Sequence, residues 1–103
     1  MTISTTTLKN AAFAIEHDLF TDPDGANYLV KDGAILRMWD PENSSEDSFE
    51  LMVALGLNPY QGLTYVSVCD ASTEICQQSL EDDKFQATRI AILLAAAKIG
   101  AAL

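Results

Sequence analysis

Positive charge is scarce in this chain: six Lys and Arg stand against 15 Asp and Glu, a formal charge of -9. A field of that sign repels phosphate. Lys9, Lys31, Arg37, Lys84, Arg89 and Lys98 are also scattered singly, so direct nucleic-acid binding and docking on an anionic membrane are disfavoured. Long apolar runs are missing too. The longest, Ile90 to Ala97, falls far short of the ~20 residues that cross a bilayer and is broken by Lys98, so it reads as a core helix. Cysteine is sparse: Cys69 and Cys76 form no CxxC pair, and the single histidine, His17, lies too far away to complete a zinc spacing. Both cysteines read as small buried hydrophobes, and no metal or cofactor is expected. The first residues show no basic segment followed by an apolar one, which makes cytoplasm the expected compartment. The five glycines are spread one to each turn or helix end, and no serine sits in a Gly-x-Ser-x-Gly setting, so neither a phosphate cradle nor a nucleophile elbow is present.

What the chain does have is apolar content. At 49% hydrophobic residues it can bury a core despite its charge, and 103 residues suit one domain, here 1–103 with the threonine-rich start (1–6) expected to fray. Apolar residues three and four apart from Leu8 to Phe20 predict a first helix, stopped by Pro23-Asp24-Gly25. Asp32-Gly33, set between Tyr28-Leu29-Val30 and Ile35-Leu36-Arg37-Met38-Trp39, predicts a type I′ hairpin. Asn43-Ser44-Ser45-Glu46 offers a cap with Glu46 three residues on, as in a capping box, for a second helix that ends at Gly56 and turns Phe49, Met52 and Val53 inward. After a loop at Asn58-Pro59-Tyr60-Gln61-Gly62 come two strands, Leu63–Cys69 and Thr73–Gln78, the second polar enough for a sheet edge. Asp83 caps a last helix, apolar nearly all round, that must be covered on most sides. The expectation is an α+β fold of order α-β-β-α-β-β-α, with a small antiparallel sheet of about four strands in two hairpins and helices packed on it.

Chemistry has few places to sit. Asp22 and Asp24 with Gly25 invite a calcium reading, but the sixth and twelfth loop positions hold Asn27 and Gly33 rather than Gly and Glu, so a turn is expected. His17, between Glu16 and Asp18, has no nucleophile or oxyanion donor assignable to it. No catalytic, cofactor or metal residue is nominated, and the chain is not expected to be an enzyme. What stands out is two acidic runs without an intervening Lys or Arg: Glu16, Asp18, Asp22 and Asp24, then Asp40, Glu42, Glu46, Asp47 and Glu50. If folding merged them they would form one face suited to a basic protein, with loop residue Tyr60 as an exposed contact and Trp39 in the core. Plain solubility and helix capping explain the same acids equally well.

Trp39-Asp40-Pro41, then Asp47-Ser48-Phe49 at a helix start, two strands, and Ala87-Thr88-Arg89-Ile90-Ala91-Ile92 opening the last helix resemble the phage ABA sandwich family across roughly residues 36 to 99. Asp40, Ser48 and Phe49 stand where many members have Asn, Ala and Trp. The resemblance implies a layered α+β fold, a phage or prophage origin and no catalytic residues. It implies a small accessory protein that binds a host factor, such as an inhibitor of a nucleic-acid-handling defence system of the CRISPR kind. Other readings stay open: a binder of a small ligand or nucleotide signal acting as an oligomer, a homodimer, or a structural phage protein.

Overall fold

The computed structural model describes residues 3–70 and 73–103. The fold is α+β, with three helices and six strands in two three-stranded antiparallel sheets, order α-βββ-α-βββ-α. Helix α1 runs Thr5–Ala14, α2 Ser45–Leu55 and α3 Lys84–Ala101; the first sheet is β1 (Asp18–Thr21), β2 (Asn27–Lys31) and β3 (Ala34–Met38), the second β4 (Leu57–Gln61), β5 (Tyr65–Asp70) and β6 (Thr73–Ser79). Each sheet is a meander with its middle strand in the centre.

Local signals place most boundaries. Asp32 and Gly33 both take positive φ, 53° and 80°, the left-handed pair that a type I′ turn needs. Ser44 caps α2 by accepting from the Asp47 N–H, and Gly56 ends it at φ 64°, its N–H bonded to the carbonyls of Met52 and Val53. Asp83 caps α3 by accepting from the Gln86 N–H. At the other end of the chain Ser4 accepts from the Thr7 N–H, and Thr5–Thr7 form the first turn of α1; residues 1–2 lie outside those described.

Three expectations give way to tertiary structure. The first helix stops at Ala14 rather than Phe20: Glu16 takes φ 64°, and Asp18–Thr21 pairs with Asn27–Val30. Asp22 makes that pairing possible, because its Oδ1 accepts from the N–H groups of Asp24 and Ala26 and closes the turn. The segment 58–61, expected as loop, is part of β4, an edge strand, where Pro59 can stand without a donated ladder bond. The second helix also faces differently. Asp47, Ser48 and Leu51 are buried, while Phe49 and Val53 are exposed.

Helix α3 is the axis of the core. It packs on α1, α2 and all three strands of the second sheet, which accounts for its lack of a polar face. It lies close against α1, and small residues are buried on both helices: Ala11 and Ala12 on one, Ala95, Ala96, Ala97 and Gly100 on the other. At Gly100 the helices touch backbone to backbone. A Cβ there would sit 1.7 Å from the Asn10 carbonyl oxygen.

Within the second sheet Cys76 is opposite Val68, not Cys69, and both thiols are free. Cys76 is buried and Cys69 half-buried. Burial pushes the Cys76 thiol above its ordinary value, partly offset by Lys98. A thiol reagent at neutral pH is therefore expected to modify Cys69 first and Cys76 only on unfolding, which mass spectrometry of the labelled chain with and without urea would check.

Candidate functional site

The first sheet has two unlike faces, and the register defines them. Leu19, Leu29 and Arg37 are cross-strand partners and so share one face. That face is turned to the body of the protein: Leu29 is fully buried, Leu19 packs on the core, and Arg37 reaches α2. Arg37 Nη1 donates to Asp47 Oδ1 at 2.5 Å and Nη2 donates to Glu50, while the other Asp47 oxygen accepts from the Asp40 N–H at 2.8 Å. The Asp47 bond, opposed by partial burial and aided by Glu50, holds the guanidinium above its ordinary pKa. Asp47, only 7% exposed, thus fastens the β3–α2 connection and explains why α2 turns this residue inward.

The opposite face carries the next row, Phe20, Tyr28 and Met38, and beyond it Asp18, Val30 and Ile35. Among the described residues it is open at Phe20, Ile35 and Met38, while Tyr28 and Val30 are half-buried and Val30 shares a hollow with Phe13 of α1 and Leu103. Ile35 is 59% exposed and Met38 61%, Phe20 is also exposed, and the Phe20 and Tyr28 rings lie 6.2 Å apart in a tilted pair. Strand β3 is moreover an edge strand exposed at every position, with Leu36 as an extra residue where the register shifts. The face thus gathers exposed aromatic and aliphatic side chains beside an open sheet edge.

The carboxylates gather around this patch in an arrangement that their order along the chain does not show. The first acidic run splits. Glu16 and Asp18 lie at the β2–β3 hairpin end of the sheet, lining a hollow with Lys31 and Asp32, while Asp22 and Asp24 belong to the turn at the other end. There the turn residues Gly25–Asn27 face Met38, Asp40 and Asn43 across a cleft of about 350 Å³. The second run is partly used inside the fold. Asp47 is buried and ion-paired, Glu50 shares Arg37, and Asp40 accepts from the Asn43 amide. Asp47 is removed from the set of candidate contact residues because its charge is spent on Arg37 and on the Asp40 N–H. Glu42, half-buried, and Glu46, exposed, make no ion pair among the described residues.

Of the sheet's two cations, Arg37 is turned to the body and Lys31 stands at the hairpin end. Tyr60 is exposed on β4, as expected, and Trp39 is buried, with an indole N–H that finds no partner. His17 Nδ1 lies 2.6 Å from the Ile15 carbonyl oxygen, and among the described residues no group of three or more His, Cys, Asp or Glu is placed to hold a metal ion. No helix among them is long and apolar enough to cross a membrane. Phe20, Ile35 and Met38 escaped the sequence reading, although the alternation Asp18-Leu19-Phe20 beside a turn was a strand signal in hindsight. No protein-family model matches the chain, and neither a curated protein nor a solved structure does.

Proposed function

We propose that this chain is a non-enzymatic binding module that holds a protein partner with a basic surface against the outer face of its first sheet. The observation that carries this reading is the outer row Phe20, Tyr28 and Met38 with Ile35, rimmed by Asp18 at one end and by Asp22, Asp24 and Asp40 at the other. Apolar anchors at the centre supply affinity, and carboxylates at the rim supply steering and selectivity for positive charge. The resemblance around Trp39-Asp40-Pro41 supports a phage or prophage setting, the partner then being a host protein met in the host cytoplasm. The finer reading within that setting is an inhibitor of a nucleic-acid-handling defence system such as a CRISPR effector, whose basic groove an acidic protein would complement. In the motif itself Trp39 and Pro41 are buried and Asp47 is ion-paired, which fits a structural role for these positions.

The test pairs two kinds of variant. Ile35→Ser with Met38→Ser removes the apolar centre, and Asp18→Lys with Asp24→Lys reverses the rim; all four side chains are exposed, so circular dichroism should stay native. A partner captured from host lysate by the wild-type chain is expected to elute with rising salt and to be lost by both variants. Equal retention by either variant overturns the proposal. Sedimentation of the wild-type chain alone discriminates a second copy as the occupant: a dimer abolished by Ile35→Ser with Met38→Ser would replace the basic partner with self-association.

A further inference from the structure

A groove of about 500 Å³ opens between α2, β4 and α3. Its walls are Phe49 and Met52 of α2, Pro59 of β4, and Phe85 and Ile92 of α3. Phe49 is 51% exposed and Phe85 78%, so two rings stand uncovered at its edge. The volume falls in the range of small-molecule sites.

Its charge is opposite to that of the molecule. In a chain with 15 acids, none of the residues lining this groove is acidic, while Lys84 and Arg89 both line it. Neither cation is in an ion pair among the described residues. Arg89 Nε donates to the Glu42 carbonyl at 2.9 Å and Nη1 to Ser45 Oγ at 3.3 Å, which leaves further guanidinium donors for a carboxylate. Ser45 and Ser48 stand one turn apart at the start of α2, where the helix dipole adds positive potential. Ser48 supplies a separate observation. It lines the groove, is 3% exposed, and its hydroxyl has no hydrogen-bond partner among the described residues. An acceptor that reached it would gain a bond without breaking one.

We propose that this groove binds a small apolar carboxylate, its head at Ser45, Ser48 and Arg89 with Lys84 nearby, its body along Phe49, Met52 and Phe85. The guanidinium and hydroxyls give charge-assisted bonds to a single carboxylate, and the aromatic walls take an alkyl or aryl body. Two cations and apolar walls suit a polyphosphate poorly, which sets the site apart from a nucleotide pocket.

The probes are octanoate, 1-octanol and octylammonium, titrated into the intact chain by calorimetry and by amide chemical shifts. Octanoate is expected to saturate with a Kd of about 0.1–1 mM, its shifts confined to the first turns of α2, β4 and residues 84–92. 1-Octanol should bind about tenfold more weakly and octylammonium not measurably. Lys84→Glu and Phe85→Ser, both at exposed positions, should each weaken octanoate about tenfold with the fold intact. Ser48→Ala should weaken octanoate several-fold while raising the melting temperature of the ligand-free chain by a few degrees, since it deletes an unpartnered buried hydroxyl. Absence of saturable octanoate binding, equal binding of the three probes, or shifts elsewhere would each overturn the proposal.

Discussion

Gly100→Ala is expected to destabilise the protein by about 3 kcal/mol, at the upper end for over-packing, although glycine to alanine inside a helix ordinarily stabilises by ~0.5–1 kcal/mol. The reversal of sign comes from the α1–α3 contact. A methyl at position 100 would lie 1.7 Å from the oxygen and 2.6 Å from the carbon of the Asn10 carbonyl, both backbone atoms. No rotamer change relieves that clash, so α1 must move away from α3 and loosen the burial of Ala11 and Ala12. Urea unfolding followed by circular dichroism gives the magnitude, and hydrogen exchange locates it: amides of α1 should lose protection before those of the second sheet. Asn10→Gly should not rescue the variant, because the obstacle is main chain. A Gly100→Ala protein as stable as wild type would mean that the helices do not approach this closely.

Asp47→Ala should cost about 2–3 kcal/mol, a large effect for removing one carboxylate from an acidic chain. On net charge alone the opposite holds, since deleting a negative charge at -9 relieves repulsion. The local geometry outweighs that relief. Asp47 accepts from Arg37 and from the Asp40 N–H, so alanine leaves a backbone donor without its acceptor and a guanidinium with only Glu50. Asp47→Asn should cost about half as much, because the amide oxygen can still accept from the Asp40 N–H. Glu46→Ala, one residue earlier and exposed, serves as the comparison and should change stability by under ~0.5 kcal/mol. Denaturant midpoints of the three variants check the order. An Asp47→Ala no less stable than Glu46→Ala would return Asp47 to the solvent-facing acids from which the fold removes it.

The acidic runs show how far a one-dimensional reading reaches. Asp40 to Glu50 contains no Lys or Arg in sequence, yet Arg37 folds onto Asp47 and Glu50 from the neighbouring strand, and Arg89 meets the Glu42 carbonyl from α3. Charge balance is a property of space, and a cation dozens of residues away counts as much as an adjacent one. The apolar outer face of the first sheet was hidden for a related reason. Leu19 fits the helical spacing that begins at Leu8 and carries Phe20 into the expected helix, and only the pairing of Phe20 with Tyr28 turns it onto the outer face of a sheet.

Features decided within a few residues were legible from the sequence: the Asp32-Gly33 turn, the Asp83 cap, the Gly56 stop, the α3 helix and, to within one residue, the α2 cap, since caps and positive-φ turns act through bonds to near neighbours in the chain. The acidity and the lack of a catalytic motif were legible too. Tertiary structure alone decided where α1 ends, that Pro59 sits in an edge strand, which side of α2 is buried, and that the chain builds two sheets of three strands. Each of those outcomes depends on partners distant in sequence: Leu29 for Leu19, Val68 for Pro59, Arg37 for Asp47. The same holds for function. A net charge of -9 belongs to composition, but the bare apolar face and the groove free of acids exist only where separate elements meet, and they carry both functional proposals.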